Sequence, residues 1–182
     1  MAGQPVPVAA PRLRRPRAAL DGEEERCEIC TAPIPDDHRH VVDLDRHSLL
    51  CACRGCHLLF APDGAGGRRF RAVPDRYEEV APPSLAEIPV GVVFFYVSSP
   101  LGRVVALYPG PAGATESLLP LDAQAGFDML TPDVEAVLVG AGSAYVVPID
   151  ACYELVGLLR RPDADIGDVL DSFFGRVKAK AR

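Results

Sequence analysis

The stretch from Cys27 to His57, CEICTAPIPDDHRHVVDLDRHSLLCACRGCH, decides how this chain is read. It holds five of the six cysteines and all four histidines. Two Cys-x-x-Cys pairs, Cys27/Cys30 and Cys53/Cys56, stand twenty-two residues apart. That spacing lets four thiolates surround one tetrahedral ion, with each pair sitting in a tight turn. Between the pairs, HVVDL and SLLC flank Asp45-Arg46-His47 and predict a short hairpin leading from one knuckle to the other. PDGAGG (62–67) is a turn signal, and RRFRAV (68–73) predicts a third strand. Together these form a zinc-ribbon-like module. A unit of about 45 residues buries too little apolar surface to fold alone, so the metal must supply much of its folding free energy.

Structural zinc on Cys27, Cys30, Cys53 and Cys56 is the leading reading, because zinc favours tetrahedral thiolate. Cys51 complicates it. Side chains alternate along a strand, so Cys51 and Cys53 both reach one ion only if the strand ends before Cys53. Cys51 is therefore an alternate ligand or a spare thiol. His40 and His57 are the other alternates, either completing a three-cysteine site or hydrogen-bonding a ligand sulfur. The plainer reading makes both exposed polar residues, and His38 and His47 lie in still more polar stretches. Iron, as one rubredoxin-like ion or an iron–sulfur cluster, fits the same four cysteines. Against it, Thr31 and His57 follow the second cysteine of each pair, where rubredoxin-like knuckles usually carry Gly. A metal-free redox thiol cluster is the remaining alternative.

Beyond the module, residues 74–89 read as a Pro-stiffened connector with a helical turn at Ser84 to Ile88. VGVVFFYVS and GRVVALYP are β-branched and aromatic runs joined by Ser99-Pro100-Leu101-Gly102, a hairpin pattern. PGPAGATES reads as a loop, which a ligand or partner could use. Residues 120–130 read as a short helix. EAVLVG and SAYVVPI predict a second strand pair around Gly140-Ala141-Gly142. IDACYELVGLLR is the clearest helix, with Asp150 as N-cap and Pro162 past its end. Cys152 falls on its apolar face as a core residue. A last amphipathic helix runs from about Asp165 to Lys178, acids first and bases last as the helix dipole favours. The expected fold is α+β: the module (21–80), then an antiparallel sheet domain with C-terminal helices (81–182).

Composition narrows the function classes. The 182 residues are 48% hydrophobic and 24% charged, as a globular protein requires. The net charge of −6 divides as +4 in residues 1–20, −5 in 21–80 and −5 in 81–182. The first twenty residues read as a disordered Arg-Pro tail. An acidic body disfavours a nucleic-acid-binding ribbon, although the tail with Arg68, Arg69 and Arg71 would be its natural contact. No run is long enough for a membrane-spanning helix. With no apolar leader at the N-terminus, clustered thiols suggest a reducing cytoplasm. P-loop, dinucleotide-binding and Gly-x-Ser-x-Gly signatures are absent. Asp150, Tyr153 and Glu154 form the one distinctive polar cluster of the second domain, read as capping and surface residues.

CEIC…HRHVVDLDRHSLLCACRGCHLLF, GGRRFRAVPDR, FYVSSPLGRVVALYPGPAGATES and YVVPIDACYELVGLLR together resemble an uncharacterised, mainly actinobacterial family of unknown function. The resemblance covers most of the chain from Cys27 to Arg161. It implies association with nickel–iron uptake hydrogenases, beside whose genes the family's genes lie, and no catalytic role. The expectation is a non-catalytic accessory protein with structural zinc, binding a protein partner such as a hydrogenase subunit or maturation factor. The rival is an electron-transfer protein carrying iron at the same cysteines.

Overall fold

Two short apolar runs, Val41-Val42 and Leu49 to Ala52, set either side of a polar turn, fold this segment into a hairpin: β1 (Arg39–Asp43) and β2 (Ser48–Ala52). Asp43 makes the turn, its Oδ1 accepting the N–H groups of Asp45 and Arg46. β3 (Phe70–Ala72) adds on the far side of β1, giving a three-stranded sheet in the order β2-β1-β3. These elements belong to a computed structural model that describes residues 25–62, 64, 69–83, 91–117, 126–140 and 142–181. The Arg-Pro tail and the helical turn at Ser84 to Ile88 lie outside the described residues.

The larger sheet has six strands in the order β4-β9-β8-β5-β6-β7, all pairs antiparallel. They are β4 (Glu78–Val80), β5 (Val92–Ser98), β6 (Arg103–Gly110), β7 (Gly113–Glu116), β8 (Glu135–Gly140) and β9 (Ser143–Pro148). The β5–β6 hairpin turns at Gly102, whose φ of 61° suits a residue without Cβ. Helices α2 (Ile149–Leu159) and α3 (Ile166–Lys180) follow. The α+β class, the antiparallel sheet and the C-terminal helices are as the sequence predicts.

Alternation along the central strands sorts the core. Phe94, Tyr96, Val105, Leu107, Leu138 and Val147 face α2 and α3. Val93, Phe95, Val104, Val137 and Val146 face the other way, against Phe127 and Leu130. Burying a side chain such as Phe94 or Leu138 contributes about 1.5–3 kcal/mol, so this body is the stability reservoir of the chain. The small sheet docks on the helix-covered side: Val42, Leu49 and Val73 share one core with Ala151, Leu155 and Phe173. Arg71 of β3 reinforces the seam by donating to the Pro132 carbonyl (2.6 Å) and the Asp133 carboxylate (3.1 Å).

Four expectations change. Glu78–Val80, in the expected connector, hydrogen-bonds to β9 as an edge strand of the larger sheet. Half of the expected loop PGPAGATES is β7, with Pro109 opposite Ala114 at the sheet's other edge. The short helix expected over 120–130 falls partly outside the described residues, and Gly126 to Leu130 form turns. Asp150 does not cap α2; that position is Pro148, which offers no side-chain acceptor.

Candidate metal centre

The first cysteine pair sits in a tight loop closed by a bridge between Arg26 and Pro33. The Cys27 N–H donates to the Ala32 carbonyl and the Thr31 N–H to the Cys27 carbonyl, both at 2.8 Å. To close this loop Thr31 adopts φ 63°, a left-handed conformation that β-branched residues rarely take. The backbone thus makes the turn that Gly usually makes in such knuckles, and the absence of Gly there does not argue against iron. Glu28 ties the knuckle to β2: its N–H donates to the Cys51 carbonyl, and its carboxylate accepts the Cys51 N–H.

The second pair does not occupy a second tight turn. β2 ends at Ala52, and Cys53 caps α1 (Arg54–Leu59), its sulfur accepting the Cys56 N–H at 3.4 Å. Ending the strand at Ala52 frees Cys53 from the alternation that governs Cys51. The sulfurs of Cys27, Cys30, Cys53 and Cys56 consequently lie within 4.8 Å of one another. Those of Cys30 and Cys53 are 3.6 Å apart, and all six cysteines are free. An S–S edge of a tetrahedron with zinc–sulfur bonds of about 2.3 Å measures about 3.8 Å, close to the Cys30–Cys53 separation, so the four sulfurs could hold a metal ion.

Three of these thiols are perturbed by their neighbours. Burial would raise the Cys27 thiol, but the backbone N–H groups of Cys53, Cys30 and Ile29 outweigh it and bring it to about 7. Burial pushes Cys56 well up, reinforced by the neighbouring sulfurs of Cys30, Cys53 and Cys27. Cys30 is also raised: the Ala32 backbone and Cys56 favour its thiolate, but Cys27 and Cys53 oppose it. Four adjacent sulfurs cannot all ionise together without a cation, and a divalent ion would remove that penalty.

Around them lies a small core of Ile34, Val41, Ala52, Phe60 and Ala72, with Phe60 and Phe70 rings 4.9 Å apart. That is too little apolar surface to hold the knuckle and α1 in place, and a tetrathiolate ion would connect them directly. α1 also presents Leu58 (57% exposed) and Leu59 (45% exposed) at the surface.

None of the alternates joins this group of four. The His57 ring nitrogen Nε2 donates to the Val73 carbonyl at 2.8 Å. Burial pushes the Cys51 thiol up to about 12, with the Glu25 and Glu28 carboxylates adding to it. His40 reaches across to the larger domain and meets Asp150 at 2.9 Å. A second convergence does include two of the alternates: His38, His40 and Cys51 bring ligand atoms within 4.8 Å of one another. In sequence the polar surroundings of His38 mask it as a ligand. The available signal was spacing, since His38 stands two residues before His40, just ahead of β1, and the hairpin register sets His40 opposite Cys51.

In the larger domain the polar cluster disperses. Asp150 serves His40, Glu154 pairs with Arg176 of α3 at 2.8 Å, and the Tyr153 ring packs 6.0 Å from that of Phe94. Cys152 is fully buried, as expected of a core thiol. Asp75, Arg76, Tyr77, Ala179 and Lys180 line a surface depression, where Lys180 lies 4.8 Å from the Tyr77 ring centre. No helix among the described residues is long and apolar enough to cross a membrane.

Comparison with known proteins gives a family without an assigned role. Residues 26–181 match a family of unknown function, DUF5947, and the chain belongs to it. No curated protein and no solved structure matches.

Proposed function

We propose that this member of the DUF5947 family is a non-catalytic accessory protein that binds a protein partner, with zinc at Cys27, Cys30, Cys53 and Cys56 bracing the docking surface. The observation that carries this reading is the convergence of four free thiols from two separate segments within 4.8 Å. Zinc there fixes α1, and α1 is where Leu58 and Leu59 face outward. Paired leucines on a metal-braced helix supply the apolar centre that a protein interface needs. The setting, a nickel–iron hydrogenase system, is what the sequence resemblance implies, and the clustered thiols suit a reducing cytoplasm. A hydrogenase subunit or maturation factor is the partner it suggests.

Iron at the same cysteines, serving electron transfer, is the second reading. The exposure of Cys30 favours it, because a sulfur at the surface shortens the path to a redox partner.

Metal analysis and an absorbance spectrum of anaerobically purified protein separate the two. Zinc with no visible absorption supports the first, and a coloured, redox-active iron protein supports the second. Partner binding is tested by substituting Leu58→Ser and Leu59→Ser together. The account expects a folded, zinc-loaded protein that no longer co-purifies with the hydrogenase components. Undiminished co-purification refutes this docking surface.

A further inference from the structure

His38, His40 and Cys51 form a cluster of metal-binding character apart from the four-thiol group. His40 on β1 and Cys51 on β2 are direct cross-strand partners. The Cys51 N–H and carbonyl both point away from β1, toward Glu28. The His40 carbonyl likewise faces β3, accepting the Val73 N–H. The pair is therefore of the non-hydrogen-bonded kind, in which facing side chains come closest. His38, just ahead of β1, brings its ring to 4.9 Å from that of His40.

Hydrogen bonding fixes which ring nitrogens are available. The His38 Nδ1 lies 2.9 Å from the Pro35 carbonyl, and the His40 Nδ1 lies 2.9 Å from the Asp150 carboxylate. Both oxygens accept only, so in the neutral ring each Nδ1 carries the proton and each Nε2 the lone pair. This is how metal-ligating histidines are held, with one nitrogen tied to a carbonyl or carboxylate and the other presented to the ion. The His38 side chain is only 9% exposed, yet its Nε2 has no hydrogen-bond partner among the described residues. A buried nitrogen left in this way destabilises the fold, and a metal ion at the cluster would satisfy it.

We propose that His38 Nε2, His40 Nε2 and Cys51 Sγ bind a second zinc ion. Asp150 of α2 orients His40 from behind. Three protein donors leave the fourth tetrahedral position to water or to a donor brought by another molecule, the pattern of reactive rather than purely structural zinc. The site would lie where the small sheet meets the larger domain, and it is independent of the four-thiol reading.

The test uses the full chain, exposed to excess zinc or cobalt(II) and then desalted. Wild type is expected to retain two zinc ions. His38→Asn and His40→Asn are each expected to retain one, with unchanged circular dichroism. The cobalt spectrum of wild type should contain an all-thiolate component and a mixed nitrogen–sulfur component, the latter lost in both variants. That spectrum decides the matter even if a variant fails to fold. A wild type that retains only one zinc, kept by both variants, with an all-thiolate cobalt spectrum before any substitution, overturns the second site and leaves the first. A single zinc lost in both variants but kept in Cys30→Ser upholds the second site and removes the first. No retained metal removes both.

Discussion

The His40 ring and the Asp150 carboxylate meet at 2.9 Å across 110 residues of sequence, joining β1 of the small sheet to the first turn of α2. Asp150→Asn weakens that bond, which is partly exposed at both ends. The expected cost is about 1–2 kcal/mol in denaturant unfolding, with faster amide exchange along β1. Unchanged stability together with unchanged exchange would show that the seam is held by Val42, Leu49, Val73 and the Arg71 contacts without it.

Thr31 holds a left-handed φ of 63° that glycine adopts freely. Thr31→Gly should stabilise the protein by about 1 kcal/mol, the relieved strain exceeding the extra entropy of an unfolded glycine. The readout is a higher denaturant midpoint at constant slope. A lower midpoint would mean that threonine's own contacts outweigh its strain.

Gly140 admits α3 to the sheet. A Cβ there would stand 2.5 Å from the Phe174 ring and 3.1 Å from Val92 Cγ2. Gly140→Ala should cost about 1–3 kcal/mol, and shortening the ring with Phe174→Leu in the same chain should recover part of it. Strictly additive losses would refute the direct clash.

Acid should loosen the hairpin through Asp43, which is 1% exposed. Burial alone would raise its carboxyl, but Arg69 and the Arg46 and Asp45 N–H groups hold it below the ordinary value of 3.8. Since the folded value is the lower one, its contribution is complete above the unfolded value and is lost as pH falls through the folded value. Asp43→Asn should reduce stability at pH 7 and flatten the decline between about pH 5 and pH 2. An unaltered acid profile would assign that decline to other carboxylates.

How far the sequence discloses this architecture depends on whether the signal is local. β1, β2, β5, β6, β8 and β9 are apolar runs bounded by turn residues, and α2 and α3 carry helical periodicity, so each announces itself. β4 and β7 are edge strands of three and four residues, Glu-Glu-Val and Gly-Ala-Thr-Glu, defined by their neighbours rather than by their own composition. The cysteine spacing marks the candidate ligands. It does not reveal that Cys53 and Cys56 open a helix, because Arg54-Gly55 suits a turn equally well. Asp150 looks like a helix cap in sequence, and its partner His40 is visible only once the two sheets are packed together.

The most direct test of the account is the metal content of the anaerobically purified chain beside that of Cys56→Ser. The account predicts a colourless protein with zinc that resists a mild chelator, and loss of that zinc together with the folded small sheet in Cys56→Ser. A preparation coloured by iron, or a metal-free protein whose small sheet stays folded in both forms, would contradict it.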